Sequence, residues 1–357
     1  METRRFNKPS FSRLVGCSWL AGICGLAGLA LPARAQYDPD WARNFRVGIL
    51  AGFNIKADIK VKTGAFDIAG RKAGVYDDGY VHDDPVNTVD DFTSNWGREV
   101  GSIYNESAQT LTLHRTTSFT ATEVVSGKQD DSFPVGFDME YGGYPWRWDR
   151  MRLGFNLGFG FLPLNFSQKV SMSGNIDGVA DAFSTDQETG EIPPFFPGIG
   201  HHGLPGGNGW HIHSDIDSST PFSEGDATAL GTETLDVTLF AFRVGPSLFF
   251  DLSDRFGLAI GAGPAFGFVT GDYKFDETIT REDDRTIRSH GRFGVSDFLI
   301  GGYVNATLTY HATLNGDFYI GAQYMPLGSA NFGKGGRTAK LDLSGAILLS
   351  AGINWPF

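Results

Sequence analysis

Apolar and polar positions alternate with a period of two along several stretches of this 357-residue chain. In residues 341–357 the odd positions are apolar or lack a polar side chain, and most even positions are polar or small. Successive side chains of a β-strand point to opposite faces, so the pattern predicts strands with one apolar face. Seven further stretches show it: residues 45–61, 133–141, 151–161, 235–250, 256–268, 298–310 and 318–326.

The segments that connect these eight predicted strands alternate in length. Short ones (142–150, 251–255, 311–316) are interleaved with longer, polar ones (62–132, 173–234, 271–292, 327–340). An even strand number with short turns at one end and long loops at the other is typical of transmembrane β-barrels. We therefore predict an all-β fold, a closed antiparallel transmembrane β-barrel of about eight strands. Alternating pieces at 110–114 and 118–122 suggest hairpins above the rim that would raise the number to ten.

Composition is compatible with a membrane barrel although the mean hydropathy is only −0.16. A membrane-spanning helix needs about 20 continuous apolar residues, and no segment after the N-terminal region approaches this length. A barrel needs only alternate residues to face lipid. A secreted, lipocalin-like barrel would also alternate, but its apolar side chains would point inward, and it gives no reason for an aromatic C-terminus.

The first 35 residues have the features of a secretory signal peptide. Four basic residues precede an apolar run at 14–31, and Ala33-Arg34-Ala35 has the small-x-small form of a cleavage site. We expect export through the Sec pathway, which leaves residues 36–357 as the barrel. A membrane anchor helix is the alternative. A lipid anchor on Cys17 is rejected because the apolar run follows this cysteine instead of preceding it.

Charge and cysteine usage exclude several classes of function. Both cysteines, Cys17 and Cys24, lie within the predicted signal peptide. Without it the chain has no disulfide, no catalytic thiolate and no cysteine metal ligand. Its removal leaves 24 basic and 40 acidic residues, a formal charge of −16. Such a charge argues against nucleic acid as a partner.

The C-terminal strand ends on Ile353, Trp355 and Phe357, which share one face. In this it resembles the closing strand of bacterial outer-membrane β-barrels, and the chain as a whole resembles the small, porin-like barrels of that superfamily. The resemblance implies an outer-membrane location with both termini in the periplasm and contact with outer-membrane lipid and lipopolysaccharide. It also implies that the barrel assembly machinery recognises the C-terminal strand. The oligomeric state stays open.

Charged residues at inward positions are the first candidate site. Eight strands enclose a lumen that side chains just fill, so charges inside it must pair. This network is expected to be a structural plug or, alternatively, a narrow gated ion path. Its predicted members on the first two strands are Arg46, Lys56, Asp58, Lys60, Asp138 and Glu140, and Arg243 and Gln323 extend it.

Histidines are the second candidate. Four of the eight fall within thirteen residues, His201, His202, His211 and His213. Neutral imidazole suits zinc, copper or nickel, but the loop is rich in glycine, and a solvated loop without a physiological metal is the alternative. Paired aspartates elsewhere lack the spacing of a calcium loop. We expect no cofactor.

Enzyme signatures are weak. The adjacent residues His213, Ser214 and Asp215 lie in a flexible loop that cannot hold a nucleophile and a base in place, and no nucleotide-binding or hydrolase motif is present. We assign no catalytic residue and predict a structural or surface-interaction role with at most a narrow, charge-plugged lumen. The alternatives are a small-solute porin and a hydrolase that acts on lipid or peptide at the rim.

Overall fold

The computed structural model describes residues 36–37, 43–68, 72–83, 92–131, 133–185, 211–313 and 316–356. The predicted signal peptide, His201, His202 and Phe357 lie outside these ranges. Within them the strands are β1 Gln36–Tyr37, β2 Arg43–Phe53, β3 Lys56–Val61, β4 Gly64–Asp67, β5 Gly79–Val81, β6 Phe92–Thr93, β7 Trp96–Arg98, β8 Ile103–Asn105, β9 Thr110–Asp131, β10 Val135–Arg147, β11 Met151–Ser184, β12 Ile212–His213, β13 Ser218–Asp251, β14 Phe256–Thr280, β15 Thr286–Thr313, β16 Gly316–Tyr324, β17 Ser329–Lys334, β18 Arg337–Asp342 and β19 Ile347–Pro356.

Among these strands, eight form a ring in the order β10-β2-β19-β16-β15-β14-β13-β11, and β11 pairs with β10 to complete it. All the pairings are antiparallel. Each ring strand overlaps one of the eight stretches of alternation, so the predicted barrel of eight strands is confirmed. In the described part of the chain, no helix is long and apolar enough to span a membrane.

The outer surface of the ring is apolar. Phenylalanines on β10, β11, β13 and β14 form a continuous ladder with ring centroids 5.1–6.5 Å apart, made of Phe137, Phe159, Phe161, Phe240, Phe242 and Phe268. Isoleucines on the opposite side, such as Ile300 and Ile320, are more than 60% exposed. Aromatic pairs at the end of the ring near the chain termini, Phe45–Trp355 and Phe256–Tyr310, match an interfacial girdle. This outer surface is therefore suited to lipid.

Several strands continue far beyond this belt. β11 and β13 have 34 residues each, whereas about 9–11 suffice to cross a membrane. Much of the sequence expected to form loops at 173–234 and 271–292 is therefore strand. The predicted hairpin pieces at 110–114 and 118–122 both belong to β9, which pairs along β11. Strands β9, β11, β13, β14 and β15 thus rise as one sheet, which we call the extension.

The other side of the ring stops at a single row of residues. Ladder pairing ends where Phe53, Ile347 and Tyr324 lie side by side on β2, β19 and β16. Beyond it the same three segments form a separate sheet of β17, β18 and β3. The predicted continuous strands at 45–61 and 341–357 are therefore wrong, because each is broken at this row. Asn54 makes the break in the first with a φ of 53°, and its side-chain amide donates to the Gly345 carbonyl at 2.9 Å.

The separate sheet folds inward and packs on the extension. Leu341 and Leu343, expected on the lipid face, are fully buried, as are Met325 and Leu327. They share one apolar core with side chains of the opposite wall: Leu162, Leu164, Phe166, Leu235, Val237, Leu239, Ala265, Val269 and Leu299. The strands break at this row because burying these side chains over the lumen stabilises the fold more than continuing the ladder would.

The break at Asn54 generates a stability prediction. Asn54→Val should destabilise the protein by about 1–2 kcal/mol, because a β-branched residue strongly disfavours a positive φ and cannot donate to Gly345. Asn54→Gly keeps the backbone conformation and loses only the side-chain hydrogen bond, so it should cost less. Urea unfolding of the refolded protein measures both, and an equal or larger loss in Asn54→Gly would contradict the assignment.

Candidate functional site

Four charged side chains meet in the lumen at the level of the lipid belt. Arg243 on β13 donates through Nη1 and Nη2 to the two carboxylate oxygens of Asp138 on β10, at 2.7 and 2.9 Å. Its Nη2 also donates to Glu140 at 3.1 Å, and Arg46 on β2 donates to the other oxygen of Glu140 at 2.8 Å. All four side chains are at most 6% exposed. Two cations and two anions leave this cluster neutral, as a buried group requires.

A glycine makes this arrangement sterically possible. Arg46, Glu140, Gly158 and Arg243 lie side by side on β2, β10, β11 and β13. A Cβ on Gly158 would lie 2.4 Å from the Arg243 guanidinium. The missing side chain therefore lets Arg243 pass over β11 and reach the carboxylates on β10.

Little space remains around the cluster. The void beside it, lined also by Asn305, Thr307 and Tyr319, has a volume of about 10 Å³. A single water molecule needs about 10–15 Å³ measured in this way, so a hydrated ion does not fit. Above the cluster lies the apolar core that includes Leu162, Leu239 and Leu348. The lumen is thus blocked twice, first by ion pairs and then by hydrocarbon.

Three of the residues predicted to face the lumen do not. Lys56, Asp58 and Lys60 lie on β3, in the separate sheet beyond the break. Lys60 pairs with Asp58 at 2.7 Å, and their side chains are 68% and 53% exposed. The expectation that they face the lumen is corrected: the kink at Asn54 exchanges the two faces of the segment, so that Ile55 and Ile59 become buried instead. Gln323, by contrast, lines the lumen void.

A second buried charge cluster joins the separate sheet to the extension. Arg337 on β18 donates to Glu233 on β13 at 3.3 Å and to Glu277 on β14. Its guanidinium lies between two rings, 3.9 Å from the centroid of Phe275 and 4.5 Å from that of Phe66. One cation here faces two carboxylates, all at most 6% exposed. The cluster therefore has one negative charge in excess when both carboxylates are ionised.

This excess charge affects the titration of Glu233. Burial raises the pKa of Glu233, Arg337 opposes the rise and the neighbouring Glu277 adds to it, and the net effect is an increase from 4.5 to about 7. Glu233 is seven residues beyond Phe240 on β13, so the cluster lies outside the lipid belt.

A third cluster fastens the segment before β5 onto the extension. Asp78 accepts hydrogen bonds from the backbone and from Nδ1 of His114, at 2.8 and 2.7 Å, and it is fully buried. Asp77 accepts from the backbone and hydroxyl of Thr116 at 2.8 and 2.7 Å. Asp181 on β11 accepts from Tyr76 at 3.0 Å. Part of the polar connection predicted at 62–132 is thus docked on the sheet by its carboxylates.

The other predicted site residues are only partly described. His201 and His202 lie outside the described residues, and the His213 ring contacts Phe92 with centroids 4.3 Å apart. In the described ranges no three His, Cys, Asp or Glu side chains are grouped to hold a metal. The histidine metal site, with His211, stays a prediction. Ile353 and Trp355 face outward as expected, and their recognition by the assembly machinery also stays a prediction.

Sequence reasoning missed the cluster around Arg337. A signal was present, because Glu233 and Glu277 occupy the same alternate positions as the buried Leu235, Val237 and Ile279. Charged residues within an otherwise apolar alternation indicate a buried ion pair. Their partner Arg337 could not be located, since the inward fold of β18 is not encoded in the alternation.

Comparisons with known proteins concern the fold. No protein-family model and no curated protein matches the chain. One similar solved structure is that of Ail, the attachment invasion locus protein of Yersinia pestis, in complex with the heparin analogue sucrose octasulfate. It has a TM-score of 0.30 and a sequence identity of 8%, and the match covers 88% of this chain and 99% of that chain. The outer membrane protease OmpT from Escherichia coli has a TM-score of 0.30 and 13% identity over 91% and 99%. A Pseudomonas aeruginosa FadL homologue has a TM-score of 0.18 and 11% identity over 88% and 90%.

The chain is an all-β barrel of the outer-membrane type. Its ring of eight paired strands and its apolar outer surface carry this conclusion. The same features distinguish it from a lipocalin-like barrel, whose outer surface is polar.

The lumen cluster generates a second prediction. Arg243→Gln should cost about 3–5 kcal/mol in the free energy of unfolding, because it leaves buried carboxylates without their main partner. Lys274→Gln is the matched control, since it breaks an ion pair with Asp236 whose side chains are 45% and 46% exposed. That change should cost less than about 1 kcal/mol. Equal losses in urea unfolding would show that the lumen charges are hydrated.

The Arg337 cluster generates a pH prediction. Because folding raises the pKa of Glu233, its proton stabilises the folded state fully below about pH 4.5, and this contribution is lost as the pH rises to about 7. The loss should reach about 3 kcal/mol, and Glu233→Gln should remove this part of the pH dependence. The measurement is the difference between wild-type and variant unfolding free energies from pH 4 to 8. A difference that stays constant over this range would contradict the assignment.

Proposed function

We propose that this protein is a non-conducting outer-membrane barrel that holds a rigid β-sheet structure at the cell surface for contact with other surface molecules. The observation that carries the proposal is the apolar core over the lumen, in which Met325, Leu341 and Leu343 are fully buried. In an open pore, β17 and β18 would leave the lumen free. Here they pack into this core and cover the lumen. The apolar core therefore closes the lumen and also supports the extension above it.

The two ends of the ring support an orientation in the membrane. Residues 148–150 and 252–255 connect ring strands at the end where β2 begins and β19 stops, and the extension rises from the other end. Short turns lie in the periplasm and long segments outside in barrels of this type. The proposal thus places both termini in the periplasm after Sec export and the extension outside. Its partners are outer-membrane lipid and lipopolysaccharide, with the assembly machinery acting on β19.

The two alternative functions fit less well. A small-solute porin needs a wetted lumen, whereas the void beside the lumen cluster holds about 10 Å³. A rim hydrolase needs an oriented imidazole, and the His114–Asp78 pair at 2.7 Å is the best built example in the described residues. Asp78, however, also accepts the His114 amide and lies 4.0 Å from Arg285, which gives it a structural role. We therefore favour the surface-interaction role.

Ion conductance tests the closed lumen. Purified protein inserted in a planar bilayer should show no stepwise conductance, because neither the lumen cluster nor the apolar core leaves room for hydrated ions. A porin of known conductance, purified in the same detergent, is the control for insertion and for contamination. Conductance steps that disappear on further purification come from a contaminant and would leave the proposal intact. Steps whose size is altered by Arg243→Gln pass through this lumen and would contradict it.

A further inference from the structure

The outer face of the extension carries an open groove with a volume of about 560 Å³. It crosses five strands, and its side chains come from one row and the row below it. Val125, Ser171, Leu230, Thr278 and Arg288 are neighbours across β9, β11, β13, β14 and β15. Lys169, Thr232 and Asp276 form the row below.

The groove lies beyond the lipid belt and faces sideways. Leu230 is ten residues from Phe240 on the same strand and on the same face. At ~3.3 Å per residue and a strand tilt of about 40°, that distance places the groove roughly 25 Å beyond the belt. A groove on the outer wall at this height faces whatever surrounds the barrel in the plane of the membrane. In the proposed orientation its surroundings are the saccharide chains of neighbouring glycolipids.

The groove is amphipathic, and its two basic residues, Lys169 and Arg288, outnumber its one acidic residue, Asp276. Leu230 and Val125 are 60% and 58% exposed and form an apolar floor. Hydroxyls of Ser171, Thr232 and Thr278 line the same space. Such a surface suits a sugar, because the aliphatic side chains can contact the C–H face of the sugar ring and the protein hydroxyls can hydrogen-bond to the sugar hydroxyls.

Two cations lie on either side of Leu230, Lys169 on β11 and Arg288 on β15. Lys169 and Arg288 line the groove and are exposed, and among the described residues neither forms an ion pair. They lie three strands apart, at about 4.8 Å per strand, which gives a separation of roughly 14 Å. Unpaired cations stand out in a chain whose formal charge is −12. They complement a ligand with two acidic groups, and charge-assisted hydrogen bonds to carboxylate or phosphate are the strong ones.

A bulge shapes one rim of the groove. The register between β9 and β11 shifts next to Lys169, and Gln168 donates to the Gly127 carbonyl at 3.0 Å across the irregularity. Bulges bend a strand and re-aim its side chains, and they recur beside functional sites. Here the bulge turns β9 at the edge where the groove opens.

We propose that this groove binds the acidic or phosphorylated saccharide portion of a neighbouring membrane glycolipid. The apolar floor contacts the sugar ring, and Lys169 and Arg288 bind two of its acidic groups. The inference rests on the proposed function, because it requires the extension to lie outside the cell. The lipid portion of the same molecule would lie against the Phe ladder below.

Binding to three probes tests the proposal. The refolded full-length protein is titrated with lipopolysaccharide that has a phosphorylated core, with lipid A alone, and with the delipidated core oligosaccharide. Lys169→Glu with Arg288→Glu should weaken lipopolysaccharide binding at least tenfold and leave the weaker lipid A binding unchanged. Lys334→Glu with Lys340→Glu, on β17 and β18, makes the same change in net charge away from the groove and should have no effect. If the charge-reversed groove variant does not refold, Lys169→Gln with Arg288→Gln replaces it.

Three results would overturn the proposal. These are an unchanged affinity of the groove variant, lipid A binding as tight as that of complete lipopolysaccharide, and delipidated oligosaccharide binding as tight as the lipid-linked form. The last would indicate a site for soluble glycans.

A separate experiment checks the orientation with a membrane-impermeant maleimide on intact cells. Val100→Cys should be labelled and Leu252→Cys should not, since these exposed residues lie at opposite ends. The reverse pattern would refute the proposed function, whereas the expected pattern with unchanged binding would refute only the groove.

Discussion

Burial of hydrocarbon over the lumen is the interaction on which the rest of this structure depends. Three ring strands stop pairing at one row, and each loses a few backbone hydrogen bonds, which cost about 1 kcal/mol apiece. The positive φ of Asn54 costs about 1–2 kcal/mol more. Each fully buried leucine or methionine returns roughly 1.5–3 kcal/mol. Leu327, Leu341, Leu343 and Met325 together contribute roughly 6–12 kcal/mol, which is similar in size to that cost. The other buried side chains of the same core, such as Leu239 and Leu348, add to this stabilisation. The barrel is consequently a membrane ring continued by a packed two-sheet structure.

Charge is distributed along this interior so that the buried clusters of the described residues join ions to counter-ions or to hydrogen-bond donors. The lumen cluster around Arg243 is neutral and lies within the belt, where an unpaired charge would be least tolerable. The cluster around Arg337 has an excess carboxylate and lies beyond the belt, where protonation can neutralise it. The aspartates at the far end are fixed by backbone and hydroxyl donors. The clusters position strands that are distant in sequence, because each joins residues from at least two of them.

The ring and the main residues of the lumen cluster could be predicted from the sequence, whereas the inward fold of β17 and β18 could not. Alternation locates all eight ring strands because lipid imposes one apolar face on each. The same alternation assigned Leu341 to lipid and Lys56 to the lumen, and both assignments were wrong. A period-two pattern shows that one face of a strand is apolar, but it does not show whether lipid or protein covers that face. The segment that turns inward at Asn54 keeps its alternation, although its apolar face now points into the protein. Arg46, Asp138 and Glu140 could be grouped because they lie on neighbouring strands at the same level.

Amide hydrogen exchange of the reconstituted protein, read by mass spectrometry, tests the inward fold most directly. If β17 and β18 pack on the extension, peptides covering residues 329–342 will exchange as slowly as those from the ring strands β16 and β19. Exchange of residues 329–342 at the rate of an exposed hairpin, while the ring stays protected, would show that these strands stand free above an open lumen and would contradict the account.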